Sequence, residues 1–156
     1  MKDKNKVIIE IPKGTVNEKW EFDEKSGEFK LDFVFENFVW PFNYGFLPGT
    51  LGGDGDQLDA IVLSSQPLAQ GKEVVCKAIG MLELLDRGEE DHKLIFVPVD
   101  DVLSESLNDI SDISAEQKQE WQKLYNEIAR QKKKVIKILG FGNKERAEEE
   151  IKKSLV

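Results

Sequence analysis

The stretch Gly52-Gly53-Asp54-Gly55-Asp56-Gln57-Leu58-Asp59 constrains this chain more than any other. It sets three carboxylates within six positions, directly ahead of the apolar run Ala60-Ile61-Val62-Leu63. Glycine makes such a loop pliable, and crowded carboxylates repel one another unless a cation offsets their charge. A hard divalent ion does that best. Oxygen donors without a nearby Cys or His cluster point to Mg²⁺, Mn²⁺ or Ca²⁺ and away from structural zinc. A lone Asp-Gly-Asp would be read more simply as a solvated acidic turn. An EF-hand loop fails, because it wants Asp or Asn, then Gly, and finally Glu where this chain has Leu58, Asp59 and Ser65. A phosphatase with an aspartate nucleophile fits poorly too, since these aspartates precede their strand instead of ending one.

The observation that raises the acidic loop above a solvated turn is a second cluster, Asp86-Arg87-Gly88-Glu89-Glu90-Asp91-His92-Lys93, between two apolar runs. The runs themselves read as strands. Val7, Ile9 and Ile11 recur at every second position ahead of Pro12, as do Trp20 and Phe22 between polar neighbours, then Phe29, Leu31 and Phe33 beyond a turn at Lys25-Ser26-Gly27. Further runs occupy 60–63, 74–85 and 94–99 at even spacing, which suggests a closed or strongly curved sheet. If that sheet closes, both acidic segments can face one cavity, share cations and bind a substrate whose own oxygens bridge the metals, which points to phosphate. The period changes near residue 114. Ser114 and Gln117 resemble a capping box, and Gln117, Trp121, Leu124 and Ile128 share a helical face. A strand over 135–139 and a last helix capped by Asn143, with Ala147, Ile151 and Leu155 recurring every fourth residue, complete the chain.

At 156 residues the sequence suits one domain, 1–156, with no separate cofactor-binding unit. Nine Phe, three Trp and two Tyr argue against disorder and against a coiled coil. Thirty acidic against twenty-two basic residues, a net charge of −8, disfavours nucleic acid and anionic membranes as partners. The single cysteine, Cys76, sits in an apolar run as a buried thiol and fits a reducing compartment. From Met1 onward no apolar run approaches the roughly 20 residues of a membrane-spanning helix, so a cytoplasmic protein is expected. His92 is expected to face solvent, Lys132-Lys133-Lys134 to form a solvated turn, and Gly140-Phe141-Gly142 a turn before the last helix. Trp20, Trp40, Phe42 and Phe46 read as core aromatics and not as a base-stacking platform.

Taken together, several segments resemble the soluble inorganic pyrophosphatases of the first structural family, over roughly residues 7–141. They are Ile9-Glu10-Ile11-Pro12, Lys19-Trp20-Glu21, Lys30-Leu31-Asp32, Pro41-Phe42-Asn43-Tyr44-Gly45-Phe46, residues 50–59, Pro67-Leu68 and residues 86–93. The resemblance implies an α+β, mainly β fold: a flattened five-stranded closed barrel, OB-like, flanked by two helices. It also implies Mg²⁺-dependent hydrolysis of inorganic diphosphate to two phosphates by a metal-activated hydroxide, with several ions bound and Mn²⁺ as an alternative. By the same resemblance Asp54, Asp59, Asp86 and Asp91 are metal ligands, with Glu10 and Glu21 around the outer metal and phosphate sites. Asp56 is the general base beside Tyr44, and Lys19, Lys93 and Tyr125 hold phosphate oxygens and the leaving group. A homo-oligomer, a hexamer, is implied as well.

The sequence departs from the family pattern at a few positions. Phe33 stands where the family has the arginine of an Asp-Arg pair, Asn126 where it has a lysine after Tyr125, and Gln57 where its acidic signature has proline. The metal ligands survive while two positive charges on the phosphate side are lost, which leaves open a weakly active relative that binds metal and phosphorylated ligands, or one acting on another phosphoanhydride. Lys13, Lys30 and Arg87 are the candidate replacement charges.

Overall fold

A computed structural model describes residues 4–156; residues 1–3, the start of the polar lead-in, lie outside the described residues. The alternation at the start of the chain becomes β1 (Asn5–Ile11), which buries Val7, Ile9 and Ile11. Next come β2 (Val16–Asp23) and β3 (Glu28–Val39), a hairpin that forms its own two-stranded sheet. The hairpin is longer than its sequence alternation implies, because β3 runs on through the aromatic segment and buries Phe35 and Phe38. β4 (Asn43–Leu47) and β5 (Leu58–Val62) flank the glycine-rich acidic loop. β6 (Glu73–Asp86), β7 (Glu89–Glu90) and β8 (Lys93–Pro98) carry the chain past the second acidic segment.

Five of these strands close a ring. Pairing runs β1-β4-β5-β8-β6, and β6 returns to pair with β1, giving the OB-like five-stranded barrel. Four of the five contacts are antiparallel and one, β5 with β8, is parallel. Barrel closure forces backbones together: a Cβ built on Gly45 would lie 2.0 Å from the Ile8 carbonyl oxygen on β1, so only glycine fits there. A register shift between Ala78 and Gly80 kinks β6 against β8, and another lies between Glu83 and Leu84 where β6 meets the last strand. Bending of this kind lets one long strand serve several neighbours.

Both faces of the central strands are covered. Along β5, Ala60 and Val62 pack with Val7, Leu94 and Phe96, while Ile61 packs with Trp40, Phe42 and Trp121 in a second apolar cluster. Trp40, Phe42 and Phe46 are buried, as expected of core aromatics. Each helix covers one cluster: the first helix covers that of Ile61 with its Trp121, and the last helix covers that of Ala60 with its Ala147. Ser114 Oγ accepts from the Gln117 N–H (3.1 Å) to start α1 (Ala115–Lys132), whose buried stripe is Trp121, Tyr125 and Ile128. β9 (Ile136–Gly142) pairs with β6, so Gly140-Phe141-Gly142 is strand and not turn; the pairing of Met81 with Gly142 absorbs it into the sheet. Asn143 Oδ1 accepts from the Arg146 N–H (2.9 Å) and opens α2 (Lys144–Ser154). The buried stripe of α2 is Ala147, Glu150 and Ser154; Leu155, expected on it, is 61% exposed, because the helix ends at Ser154 and the next residue turns out to an isolated bridge with Thr50. Among the described residues no helix is long and apolar enough to cross a membrane.

Candidate active site

The parallel pair explains how two distant acidic segments meet. β5 and β8 start at the same end of the barrel with Asp59 directly opposite Lys93, and each strand is preceded by its acidic loop. The Lys93 ammonium, its side chain only 6% exposed, sits 2.7 Å from Asp59 Oδ2 and 3.0 Å from Asp91 Oδ2. Asp91 is within hydrogen-bonding reach of both Asp54 and Asp59. A cavity of about 1400 Å³ opens over this group. Its walls include Glu10 from β1, Lys19 and Glu21 from β2, Tyr44 from β4, Asp54, Asp56 and Asp59 from the first acidic segment, Asp86, Asp91 and Lys93 from the second, and Tyr125 from α1. All eleven residues singled out in the sequence therefore face one space.

The electrostatics of the site follow from burial and crowding. Glu10 is buried and accepts the Phe22 N–H at Oε2 (2.8 Å), yet burial pushes its carboxyl up to about 8. Burial, reinforced by neighbouring carboxylates, raises both Asp54 and Asp59 to about 6. Asp91 goes the other way: against the effect of burial, the Lys93 ammonium and the hydrogen bonds from Asp59 and Asp54 hold it down to about 2. Desolvation works against the charge on Lys93 as well, but Asp59, Tyr44 and Asp91 keep its pKa well above the usual lysine value. Burial raises the Tyr44 hydroxyl well above 10, so it is a neutral donor at physiological pH. Lys93 Nζ lies 5.6 Å from the centre of the Tyr44 ring and 5.8 Å from that of Tyr125.

Not every candidate joins the central group. Asp86 lines the cavity but is paired with Lys134 (2.6 Å) and Arg87 (3.0 Å), which hold it below the ordinary carboxylate range against the effect of burial. Asp56 is exposed on the loop, tied to it by its own N–H donating to Asp54 Oδ1 (3.0 Å). Among the described residues no three Asp, Glu, His or Cys side chains already form a metal-ligating group. The donor chemistry nevertheless fits a hard divalent cation: oxygen donors only, with two carboxylates forced toward protonation in a way that added positive charge relieves.

Three sequence readings are corrected here. His92 is buried, not solvated: Nδ1 accepts from the Leu84 N–H (3.1 Å) and Nε2 lies 3.3 Å from Glu90 Oε2, so the ring ties the β6–β8 connection together. Lys132 and Lys134 do not belong to a solvated turn, because ion pairs with Asp32 (3.9 Å) and Asp86 (2.6 Å) draw them onto the cavity wall. Of the proposed replacement charges, Lys30 and Arg87 line the cavity, whereas Lys13 donates to the Ser64 carbonyl (3.3 Å) away from it. A signal for Lys132 exists in the sequence, since Tyr125, Ile128 and Lys132 are spaced as one helical face. At the proline-to-glutamine position, Gln57 Oε1 accepts the Gly49 N–H (3.1 Å) and its Nε2 donates to Glu24, so side-chain bonds brace the loop.

The inorganic pyrophosphatase family model matches residues 7–156. An inorganic pyrophosphatase of Synechocystis is 39% identical over 136 residues, covering 86% of this chain and 80% of that protein. Two solved inorganic pyrophosphatases superpose closely. The Neisseria gonorrhoeae structure has a TM-score of 0.90 at 35% identity, covering 98% of this chain and 90% of the other. The Helicobacter pylori structure has a TM-score of 0.91 at 35% identity, covering 99% and 92%.

Proposed function

The chain belongs to the inorganic pyrophosphatase family of hydrolases, and from that membership we propose that it splits inorganic diphosphate into two phosphates with Mg²⁺ as cofactor and Mn²⁺ as a substitute. The observation that carries this reading is the meeting, across one cavity, of a carboxylate trio (Asp54, Asp59, Asp91) with a wall of ammonium groups. The trio would hold the divalent ions, with Asp86, Glu10 and Glu21 around them. Bound there, such ions supply charge neutralisation for the phosphate oxygens and acidify water.

The chain's own residues do the rest. Asp56, exposed on its loop, takes the proton of the attacking water. Lys93 stays charged through the cycle and steadies Asp59 and Asp91 through its two ion pairs. Tyr44 and Tyr125, both buried and neutral, donate toward oxygens in the cavity without adding negative charge. Lys19, half-buried and paired with Asp32 (2.9 Å), offsets charge on the leaving phosphate. The buried thiol of Cys76 agrees with work in a reducing cytoplasm, and assembly into a homo-oligomer, a hexamer, goes with the family reading.

Phosphate release from diphosphate, measured with Mg²⁺ and with chelator, tests the proposal. Release is expected only with Mg²⁺, and Asp56→Asn should lower the rate by roughly 10²–10⁴-fold while metal binding persists. Wild-type rates in that variant would remove Asp56 from the reaction. A cavity of about 1400 Å³ has room for more than diphosphate, so the same assay on nucleoside triphosphates and polyphosphate reads substrate choice. Preferential turnover of either would replace diphosphate as the substrate.

A further inference from the structure

The C-terminal end of α1 delivers charge to the cavity by simple geometry. Tyr125, Ile128 and Lys132 are three and four residues apart, lie on one helical stripe and all line the cavity, whereas Asn126 lies off that stripe and is exposed. Lys133 then caps the helix in the left-handed conformation (φ 54°, ψ 49°), reversing the chain so that Lys134 returns to the same wall. Lys19 reaches that wall from β2.

Negative charge is in short supply there. Asp32 Oδ2 accepts Lys19 at 2.9 Å and faces Lys132 at 3.9 Å, so one carboxylate serves two ammonium groups. The Lys132 side chain is 22% exposed, and its ammonium rides 5.4 Å from the centre of the Phe33 ring. Phe33 occupies the position where a guanidinium is expected from the resemblance; the ring brings no charge of its own but offers its π face to a lysine that does. Burial and the nearby Lys19 and Lys134 pull the Lys132 pKa below the ordinary lysine value, the direction expected of a cation lacking a full counter-charge.

We propose that Lys132, carried into the cavity on the Phe33 ring, is a direct ligand of a phosphate group of the substrate and supplies the positive charge that position 33 does not. The proposal rests on diphosphate hydrolysis as the activity of this site. Lys132 shares the phosphate side with Lys19, and the anion completes the neutralisation that Asp32 only begins.

The decisive variant is Lys132→Met, which keeps the aliphatic stem over Phe33 and removes the charge; Lys132→Gln is a second neutral variant and Lys132→Arg the conservative one. Steady-state kinetics on diphosphate with saturating Mg²⁺ should show KM raised roughly tenfold or more in the neutral variants, the typical loss for a hydrogen bond to a charged group. Most of the defect should sit in KM and not in kcat, and Lys132→Arg should recover most of it. Calorimetric titration of inorganic phosphate into the Mg²⁺-loaded protein should show a parallel loss of affinity. Unchanged KM and phosphate affinity in a folded neutral variant would overturn the proposal, as would a defect confined to kcat. Failure of the underlying reading looks different: the wild type would not hydrolyse diphosphate at all, while the phosphate titration would still report on Lys132.

Discussion

Glu10 shows how one side chain ties pH to stability. Burial holds its carboxyl at about 8 against an ordinary value of 4.5, so between those limits the folded chain binds a proton that the unfolded chain releases. Its stabilising contribution is complete below the unfolded value and is lost as pH rises through about 8. Metal-free protein should therefore lose thermal stability across that window, as Asp54 and Asp59, raised to about 6, do earlier in it. Glu10→Gln, which keeps an oxygen to accept the Phe22 N–H, should flatten the upper part of the curve. Melting temperatures in chelator at several pH values decide this, and a variant as pH-sensitive as the wild type would refute it. At this scale the aspartates were legible because their crowding is local in the sequence. His92 was not, because the Leu84 N–H meets it only through the fold, and for Lys132 the helical spacing was readable while its partners Asp32 and Phe33 were not.

Elements were legible where they alternate or carry a cap. The β2–β3 hairpin shows its turn, and both helices start where Ser114 and Asn143 predict. β4 did not show itself because all five of its residues are buried, leaving no period of two to detect. Its place in the barrel also depends on a glycine whose reason lies on another strand. Gly45→Ala would drive a methyl into the Ile8 carbonyl oxygen, which is backbone and cannot swing aside. The expected cost is about 3 kcal/mol, the upper range for overpacking, read as a lowered midpoint in chemical denaturation. A midpoint unchanged from wild type would mean that β1 and β4 can separate locally without cost.

For the whole molecule, a net charge of −8 with its carboxylates concentrated at one cavity predicts strong linkage to divalent cations. Mg²⁺ at about a hundred times its Kd should add about 2.7 kcal/mol to stability, seen as a melting temperature that rises with Mg²⁺ and falls again with chelator. A melting temperature indifferent to Mg²⁺ would speak against ions in this site. The ring closure was readable as an expectation from evenly spaced apolar runs, but the pairing order was not, since β5 and β8 are neighbours in space only. That seam carries a further consequence. Side chains alternate sides along a strand, so slipping β8 by a single notch against β5 would swing Lys93 to the opposite face from Asp59. Strand alignment and chemical competence then become one property, and the activity regained on refolding counts the molecules whose seam has zipped in step.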